Sequence, residues 1–305
     1  MAPWSIIAFE HSWYVAEFRY KKSMGEPLIS MKGKVVLITG ATRGIGRAGA
    51  LQLAALGAEL VLVGRHRGRL EEVARSCKMA GAPEVRTYSV DLTSRKQVGE
   101  LAEKLMVTEG RLDVLWNNAG GYFTERRVTE EGLERTWAMN HLAYVDLTQR
   151  LLPLLEKSVD PRVICTASEA HRMGSIQWDN LQGERKWDGW RAYCLTKLTN
   201  ILYVAEQGRR LGDSKIRICA MHPGLVNSAL GDENLGFAGA AFRILKKVWG
   251  KSNEQGADTA VWLASRTQRP IQGGYYASRK ERVPSKAAQS LEDAQRIWEI
   301  SKRKL

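Results

Sequence analysis

Thr39-Gly40-Ala41-Thr42-Arg43-Gly44-Ile45-Gly46 is the stretch whose reading decides the fold. It follows the apolar run Val35-Val36-Leu37-Ile38 and opens Ala48-Gly49-Ala50-Leu51-Gln52-Leu53-Ala54-Ala55-Leu56, whose apolar residues recur at helical spacing. The order is strand, glycine turn, helix. A diphosphate needs that order, because glycines let the backbone turn tightly and approach the phosphates while free N–H groups and the positive helix end meet the charge. A glycine turn alone can be a mere chain reversal. Here the next apolar strand, Leu60-Val61-Leu62-Val63, arrives after Gly57-Ala58-Glu59 and completes a βαβ unit, so the turn predicts dinucleotide binding.

Working outward, apolar strands and amphipathic helices alternate from Lys34 to about Ala277 with no linker, repeat or low-complexity segment. With 305 residues and 44% hydrophobic content, the chain can bury one large core. The prediction is α/β: a single-domain Rossmann fold at 31–280, with a doubly wound, mostly parallel sheet and helices on both faces. Residues 281–305 read as a basic C-terminal tail. The net charge of +13 is scattered over the helices and concentrated at 279–286 and 302–304, which reads as a solvated basic surface and not a nucleic-acid interface. Cys77, Cys165, Cys194 and Cys219 have no metal-ligand spacing, and no metal is expected. The start lacks the apolar core of a cleaved secretion signal, so an intracellular, reducing compartment fits. In the leader, residues 1–30, Trp4, Ile7, Tyr14 and Phe18 stand at roughly helical spacing before Arg19, Lys21 and Lys22, while Glu10 and Glu17 forbid a spanning helix. The pattern fits an amphipathic helix lying on a cytosol-facing membrane and fits equally an extra helix packed on the core of a cytosolic protein.

The glycine spacing TGxxxGxG resembles the short-chain dehydrogenase/reductase family, and further elements follow in that family's order over about residues 32 to 278. Asp91-Leu92 stands after the third apolar run, where the family contacts adenine; Asn117-Asn118-Ala119-Gly120 resembles its NNAG element. Met139-Asn140-His141-Leu142 resembles its helix asparagine motif, Tyr193-Cys194-Leu195-Thr196-Lys197 its YxxxK, and His222-Pro223-Gly224 with Val226 and Ser228 its PG element. Asn180-Leu181-Gln182-Gly183-Glu184 and Met221-His222-Pro223-Gly224 are similar to the retinol-dehydrogenase-like branch. A looser likeness, through Thr129-Glu130-Glu131-Gly132-Leu133-Glu134 and Glu254-Gln255-Gly256-Ala257-Asp258, is to dehydrogenase/reductase member twelve of the same family.

Tyr193 and Lys197 stand four apart on one face of a helix spanning 191 to 211. A free tyrosine titrates near ~10, and a neighbouring ammonium favours the phenolate, so Lys197 is expected to draw Tyr193 toward neutrality. Tyr276 and Lys280 share that spacing, but they read as the last strand and its exit and receive no catalytic role. Ser168 follows the strand Arg162-Val163-Ile164-Cys165-Thr166, at the carboxyl end where open α/β sheets bind ligands. The resemblance implies that Ser168 polarises a substrate carbonyl, Tyr193 gives the proton, Lys197 also holds the nicotinamide ribose, and Asn140 supports a water-linked relay. It also implies cofactor contacts at Gly40, Thr42, Arg43, Gly44, Ile45, Gly46, Arg65, Asp91, Leu92, Asn118, Ala119, Gly120, Tyr193, Lys197, Pro223, Gly224, Val226 and Ser228. Cys165 and Ala167 depart from the residues common just before the serine, at positions that do no chemistry. His171 and His222 lack a ligand cluster and read as structural.

NAD-preferring members carry an acid where this chain has Gly64, followed by Arg65; with Arg43 in the turn, NADP(H) is favoured over NAD(H), although both arginines also read as surface charges. Trp178, Trp187 and Trp190, and Phe237, Phe242, Ile244, Leu245, Val248 and Trp249, border the family's active site. They read as an apolar wall for a lipophilic aldehyde, ketone, retinoid or steroid in lipid metabolism, or as packing of the lid or a subunit contact in a homo-oligomer. The expected activity is NADP-dependent interconversion of a carbonyl and an alcohol. A catalytically inactive dinucleotide-binding scaffold is the first alternative. An extended-type epimerase or dehydratase ranks lower, since only about 80 residues follow Pro223.

Overall fold

The structure, a computed structural model, describes residues 28–226 and 250–303. Seven parallel strands and one antiparallel strand make a single sheet in the order β3-β2-β1-β4-β5-β6-β7-β8. The strands are β1 (Val35–Thr39), β2 (Glu59–Gly64), β3 (Val85–Ser89), β4 (Val114–Asn117), β5 (Arg162–Thr166), β6 (Arg217–Met221), β7 (Tyr275–Ala277) and β8 (Lys280–Glu281). The helices are α1 (Gly44–Ala55), α2 (Arg67–Ala80), α3 (Arg95–Thr108), α4 (Ala143–Leu155), α5 (Gly189–Leu211), α6 (Asn253–Ser265) and α7 (Leu291–Lys302). The order reverses between β1 and β4, and that switch point opens the crevice in which such sheets bind ligands.

Side chains alternate across each strand, so neighbours in β1 feed opposite layers. Val35 and Leu37 join the core under α3, α4 and α5, whereas Val36 and Ile38 join the core under α1, α2 and α6. Both faces are thereby covered, which is why the strands read as continuous apolar runs and not as alternating ones. The central helix α5 begins at Gly189, two residues before the expected start, because the Asp188 carboxylate accepts the Arg191 N–H at 2.8 Å and caps it.

Residues 281–303 of the expected basic C-terminal tail are folded onto the domain. Ser290 caps α7 by accepting the Asp293 N–H, and Ala294 and Ile297 are buried against α5. The spacing of those apolar residues carries the helix; the basic residues lie on its outer side. All four cysteines are buried and free, with Cys165 in β5 and Cys219 in β6. The leader's residues 1–27, the wall residues 237–249 and Ser228 lie outside the described residues.

Helix α1 crosses the sheet at close range because Gly49 has no side chain. A Cβ there would lie 2.2 Å from Cζ3 of Trp116, a ring that is itself fully buried. Gly49→Ala should therefore force the ring or the helix to move, at a cost of about 1–3 kcal/mol. A thermal melt should show a drop of several degrees, whereas a melt unchanged from the parent would mean that the two elements are not in contact.

Candidate active site

The glycine turn is built from two close approaches. Gly40 adopts φ +69°, and a Cβ on it would fall 2.8 Å from the Ala119 Cα. At Gly46 a Cβ would fall 2.4 Å from the Gly40 carbonyl oxygen and 2.6 Å from the Asn118 amide nitrogen. The contact is locked from the other side. Thr39 Oγ1 accepts the N–H groups of Asn118 and Ala119 at 2.8 and 2.9 Å, and the Asn118 side-chain amide donates to the Thr39 carbonyl at 2.9 Å. Asn118 thus serves to bind the two strand ends together. Beyond the turn, Arg43 precedes α1 in an extended conformation without capping it, and the first turn carries no acid. The leading N–H groups of α1 consequently have no side-chain acceptor, and they form the positive end of the helix. Around Gly44, at φ +59°, a Cβ would meet only the Asn253 amide oxygen, at 3.8 Å. An anionic diphosphate fits this bare backbone.

The PG element reaches the same turn. A Cβ on Gly256 of α6 would sit 2.8 Å from Val226 and 3.2 Å from Ile45, so Val226 and Ile45 pack over one glycine. Gly224, at φ +86°, donates its N–H to His222 Nδ1 at 3.1 Å next to Pro223. Leu92 is buried in the core, while Asp91 Oδ1 accepts from the N–H and hydroxyl of Thr93. Arg65 is exposed at the end of β2. Gly64 has a steric reason: a Cβ there would lie 2.9 Å from the Thr42 methyl, so the turn fills the place an acidic side chain would need.

The polar group at the other end is equally compact. Lys197 is buried, and its Nζ donates to the Thr166 carbonyl at the end of β5 (2.9 Å), standing 5.6 Å from the Tyr193 ring centre. Gly120 lies between it and Asn140: a Cβ on Gly120 would meet Asn140 Oδ1 at 3.4 Å and Lys197 Nζ at 3.5 Å. Asn140 belongs to a π-helical turn, Ala138–Leu142, leading into α4. Its amide is committed to Gly121, accepting that residue's N–H and donating to its carbonyl, both at 2.8 Å. Ser168 caps the short turn Glu169–Met173 by accepting the Ala170 N–H, and its hydroxyl is close enough to Tyr193 to favour the phenolate.

The electrostatics correct one expectation. Burial pushes the Tyr193 phenol up to about 12, with the Ser168 hydroxyl offsetting part of the rise, and Lys197 does not draw it toward neutrality. Burial likewise pushes Lys197 down to about 8. Desolvation opposes both charged forms and outweighs an ammonium that is turned toward Thr166. The phenol is therefore a proton donor at neutral pH.

Only one of the three loop tryptophans borders Tyr193. Trp190 stacks on its ring at 5.8 Å, and Tyr122 meets both edge-on, at 6.2 and 6.3 Å. Trp178 instead packs on the core beneath the Arg296 guanidinium, and Trp187 folds back onto Gly183 and Gly189, which hold the loop together. Tyr122 was missed in the sequence, where the short aromatic pair Tyr122-Phe123 just past Gly120-Gly121 has no periodic partner to mark it. His171 and His222 are structural: His171 bonds the Ser168 carbonyl, and His222 bonds Glu169 at 3.2 Å and stacks on Tyr275. Among the described residues no group of His, Cys, Asp or Glu side chains could hold a metal ion. The second Tyr-Lys pair lies in β7 and β8, where the Tyr276 hydroxyl accepts the Ile271 N–H at 2.8 Å.

Comparison with known proteins bears on this arrangement. The family model described as short chain dehydrogenase matches residues 34–235. The chain is 38% identical over 279 residues to "Putative daunorubicin C-13 ketoreductase DnrU" of Streptomyces sp. (strain C5), covering 91% of this chain and 94% of that one. It is 33% identical over 294 residues to retinol dehydrogenase 14 of Homo sapiens, covering 91% and 87% respectively. A crystal structure of a Mycobacterium paratuberculosis protein superposes with a TM-score of 0.73 at 28% identity, over 90% of this chain and 94% of the other. The bare-backbone turn, the Tyr193–Ser168–Lys197 group and these matches together show that the chain belongs to the short-chain dehydrogenase family, in its retinol-dehydrogenase-like branch, and is an oxidoreductase of the CH–OH class.

Proposed function

We propose that the protein interconverts a lipophilic carbonyl compound and its alcohol with NADP(H). The observation that carries this reading is the buried Tyr193 phenol, kept protonated by burial, with Ser168 beside it and Trp190 and Tyr122 bordering it. The glycine turn and the start of α1 would hold the diphosphate, and Lys197 the nicotinamide ribose. Bound there, the nicotinamide supplies a hydride in reduction and takes one in oxidation. In reduction, the Ser168 hydroxyl donates to the carbonyl oxygen and Tyr193 transfers its proton to that oxygen as negative charge develops. In oxidation the Tyr193 phenolate removes the alcohol proton.

The preference for NADP(H) rests on Arg43 and Arg65 and on Gly64, whose missing side chain leaves no acid to repel a ribose phosphate. The Trp190 and Tyr122 rings favour an apolar substrate, and relatives named for an alcohol, retinol, and for a ketone, daunorubicin, accord with either direction. The leader, residues 1–30, is proposed to bring the enzyme to a cytosol-facing membrane, its tryptophan and phenylalanine entering the interface and its lysines meeting anionic head groups. No described helix is long and apolar enough to cross a membrane.

Tyr193→Phe should lower turnover by about 100-fold or more in an NADPH-oxidation assay on retinals, steroids and aliphatic aldehydes while leaving NADPH affinity nearly intact; Lys197→Ala should impair both. Near-parental turnover in Tyr193→Phe would defeat the mechanism. Because the phenol titrates far above neutrality, alcohol oxidation by the parent should rise with pH from about 7 to about 10, as the phenolate fraction grows, and carbonyl reduction should not.

Replacing Arg43 and Arg65 together by alanine should weaken NADPH by about 10-fold or more and NADH by less, since only NADPH carries the ribose phosphate. Equal losses in cofactor titrations would refute the assignment.

Deleting residues 1–30 should release the protein from liposomes containing anionic lipid and preserve its activity on a water-soluble aldehyde. A full-length protein that never sediments with liposomes, or a deletion that unfolds, would instead make the leader a core element.

A further inference from the structure

Two histidines that take no part in the reaction are wired alike. His141, next to Asn140 in the π-helical turn, is wholly buried. Its Nδ1 lies 2.9 Å from Asn200 Oδ1, and its Nε2 lies 2.7 Å from the Ser301 hydroxyl at the end of α7. The Asn200 amide nitrogen is spent on the Asn140 carbonyl, at 2.9 Å, so the Asn200 oxygen that faces the ring can only accept. The proton therefore sits on Nδ1, and the single Ser301 hydroxyl hydrogen is shared between Nε2 and the Ile297 carbonyl, each 2.7 Å away. The ring stays neutral, since burial holds His141 down to about 4. His171 repeats the scheme: Nδ1 donates to the Ser168 carbonyl at 2.7 Å, and Nε2 accepts the Ser285 N–H at 3.1 Å. In each case one ring nitrogen grips the C-terminal segment and the other holds a group that leads to the site.

We propose that His141 is a positioning residue that carries the placement of the C-terminal helix α7 to Asn140, as His171 carries that of Ser285 to Ser168. The inference rests on the function proposed above, in which these groups serve the reaction. The path from α7 is continuous: Ser301, His141, Asn200, the Asn140 carbonyl, and from the Asn140 amide to Gly121. Gly120, the neighbour of Gly121, abuts Lys197. A shift in the His141 ring therefore reaches the loop that lies against the lysine.

A purely structural histidine would affect stability without moving Gly121 or the rate. The Gly121 N–H, bonded to Asn140 Oδ1, reports the end of the path by hydrogen exchange. In the full-length protein, His141→Asn keeps an N–H near the Nδ1 position, and His141→Leu removes it. His141→Leu should speed Gly121 exchange about tenfold and lower kcat about tenfold with the KM for NADPH within about twofold, while His141→Asn stays within about threefold of the parent on each. Should His141→Leu fail to fold, Ser301→Ala, which breaks only the far end, should shift exchange and kcat in the same direction by about threefold. Parental exchange and kcat in His141→Leu, or in Ser301→Ala where it stands in, would overturn the proposal. So would equal losses in His141→Leu and His141→Asn, or faster exchange with an unchanged kcat. If the parent turns over no carbonyl in the screen, the proposed function fails, and Gly121 exchange alone decides whether His141 positions Asn140.

Discussion

The contact between the main chain of the glycine turn and the end of β4 is the constraint on which the rest depends. Gly40 presses on Ala119, Gly46 presses on the Gly40 carbonyl and Asn118, and Thr39 Oγ1 accepts two N–H groups across the gap. Because no Cβ fits between them, β1 and β4 end at the same height and α1 starts where its free N–H groups face the crevice. Gly120 then follows directly from Ala119 and brings the loop against Asn140 and Lys197. The glycine turn and the Asn140–Lys197 group thus meet opposite ends of one short piece of chain, Asn118 to Gly121.

The second theme is desolvation. Tyr193 and Lys197 lie in the low-dielectric interior, where charge on either is penalised, so the phenol rises to about 12 and the amine falls to about 8. This site favours neutral forms until a partner of opposite charge or a hydrogen-bonding substrate offsets the penalty. Ser168 already does part of that for Tyr193. The neighbouring histidines follow the same rule, each kept neutral by burial and each holding a fixed tautomer through two partners.

Much of this was legible in the sequence, because strands buried on both faces leave continuous apolar runs and a glycine turn leaves a spacing. The sheet, the central helix with Tyr193 and Lys197, and Ser168 at a strand end follow from such local patterns. Contacts between remote segments leave none. The shared position of Trp190 and Tyr122 depends on how two loops pack, the reason for Gly64 is a methyl group 22 residues earlier at Thr42, and the His141 line joins three segments up to 160 residues apart. The basic charge near the end masked the buried stripe of α7, and the 3.6-residue spacing of Ala294, Ile297 and Ser301 was the signal that could have found it. The expected downward shift of Tyr193 is absent because burial, invisible in spacing, pushes the phenol up while the Lys197 ammonium turns to Thr166.

The central claim is that this site moves a hydride and a proton, and isotope transfer tests it most directly. The protein is incubated with a lipophilic aldehyde and NADPH deuterated at the nicotinamide C4, with each face labelled in turn, and the alcohol is examined by mass spectrometry. The account predicts one deuterium on the former carbonyl carbon from one of the two labelled faces, at a rate that collapses in Tyr193→Phe. NADPH that binds tightly but delivers no deuterium to any carbonyl compound would contradict it and leave a dinucleotide-binding scaffold.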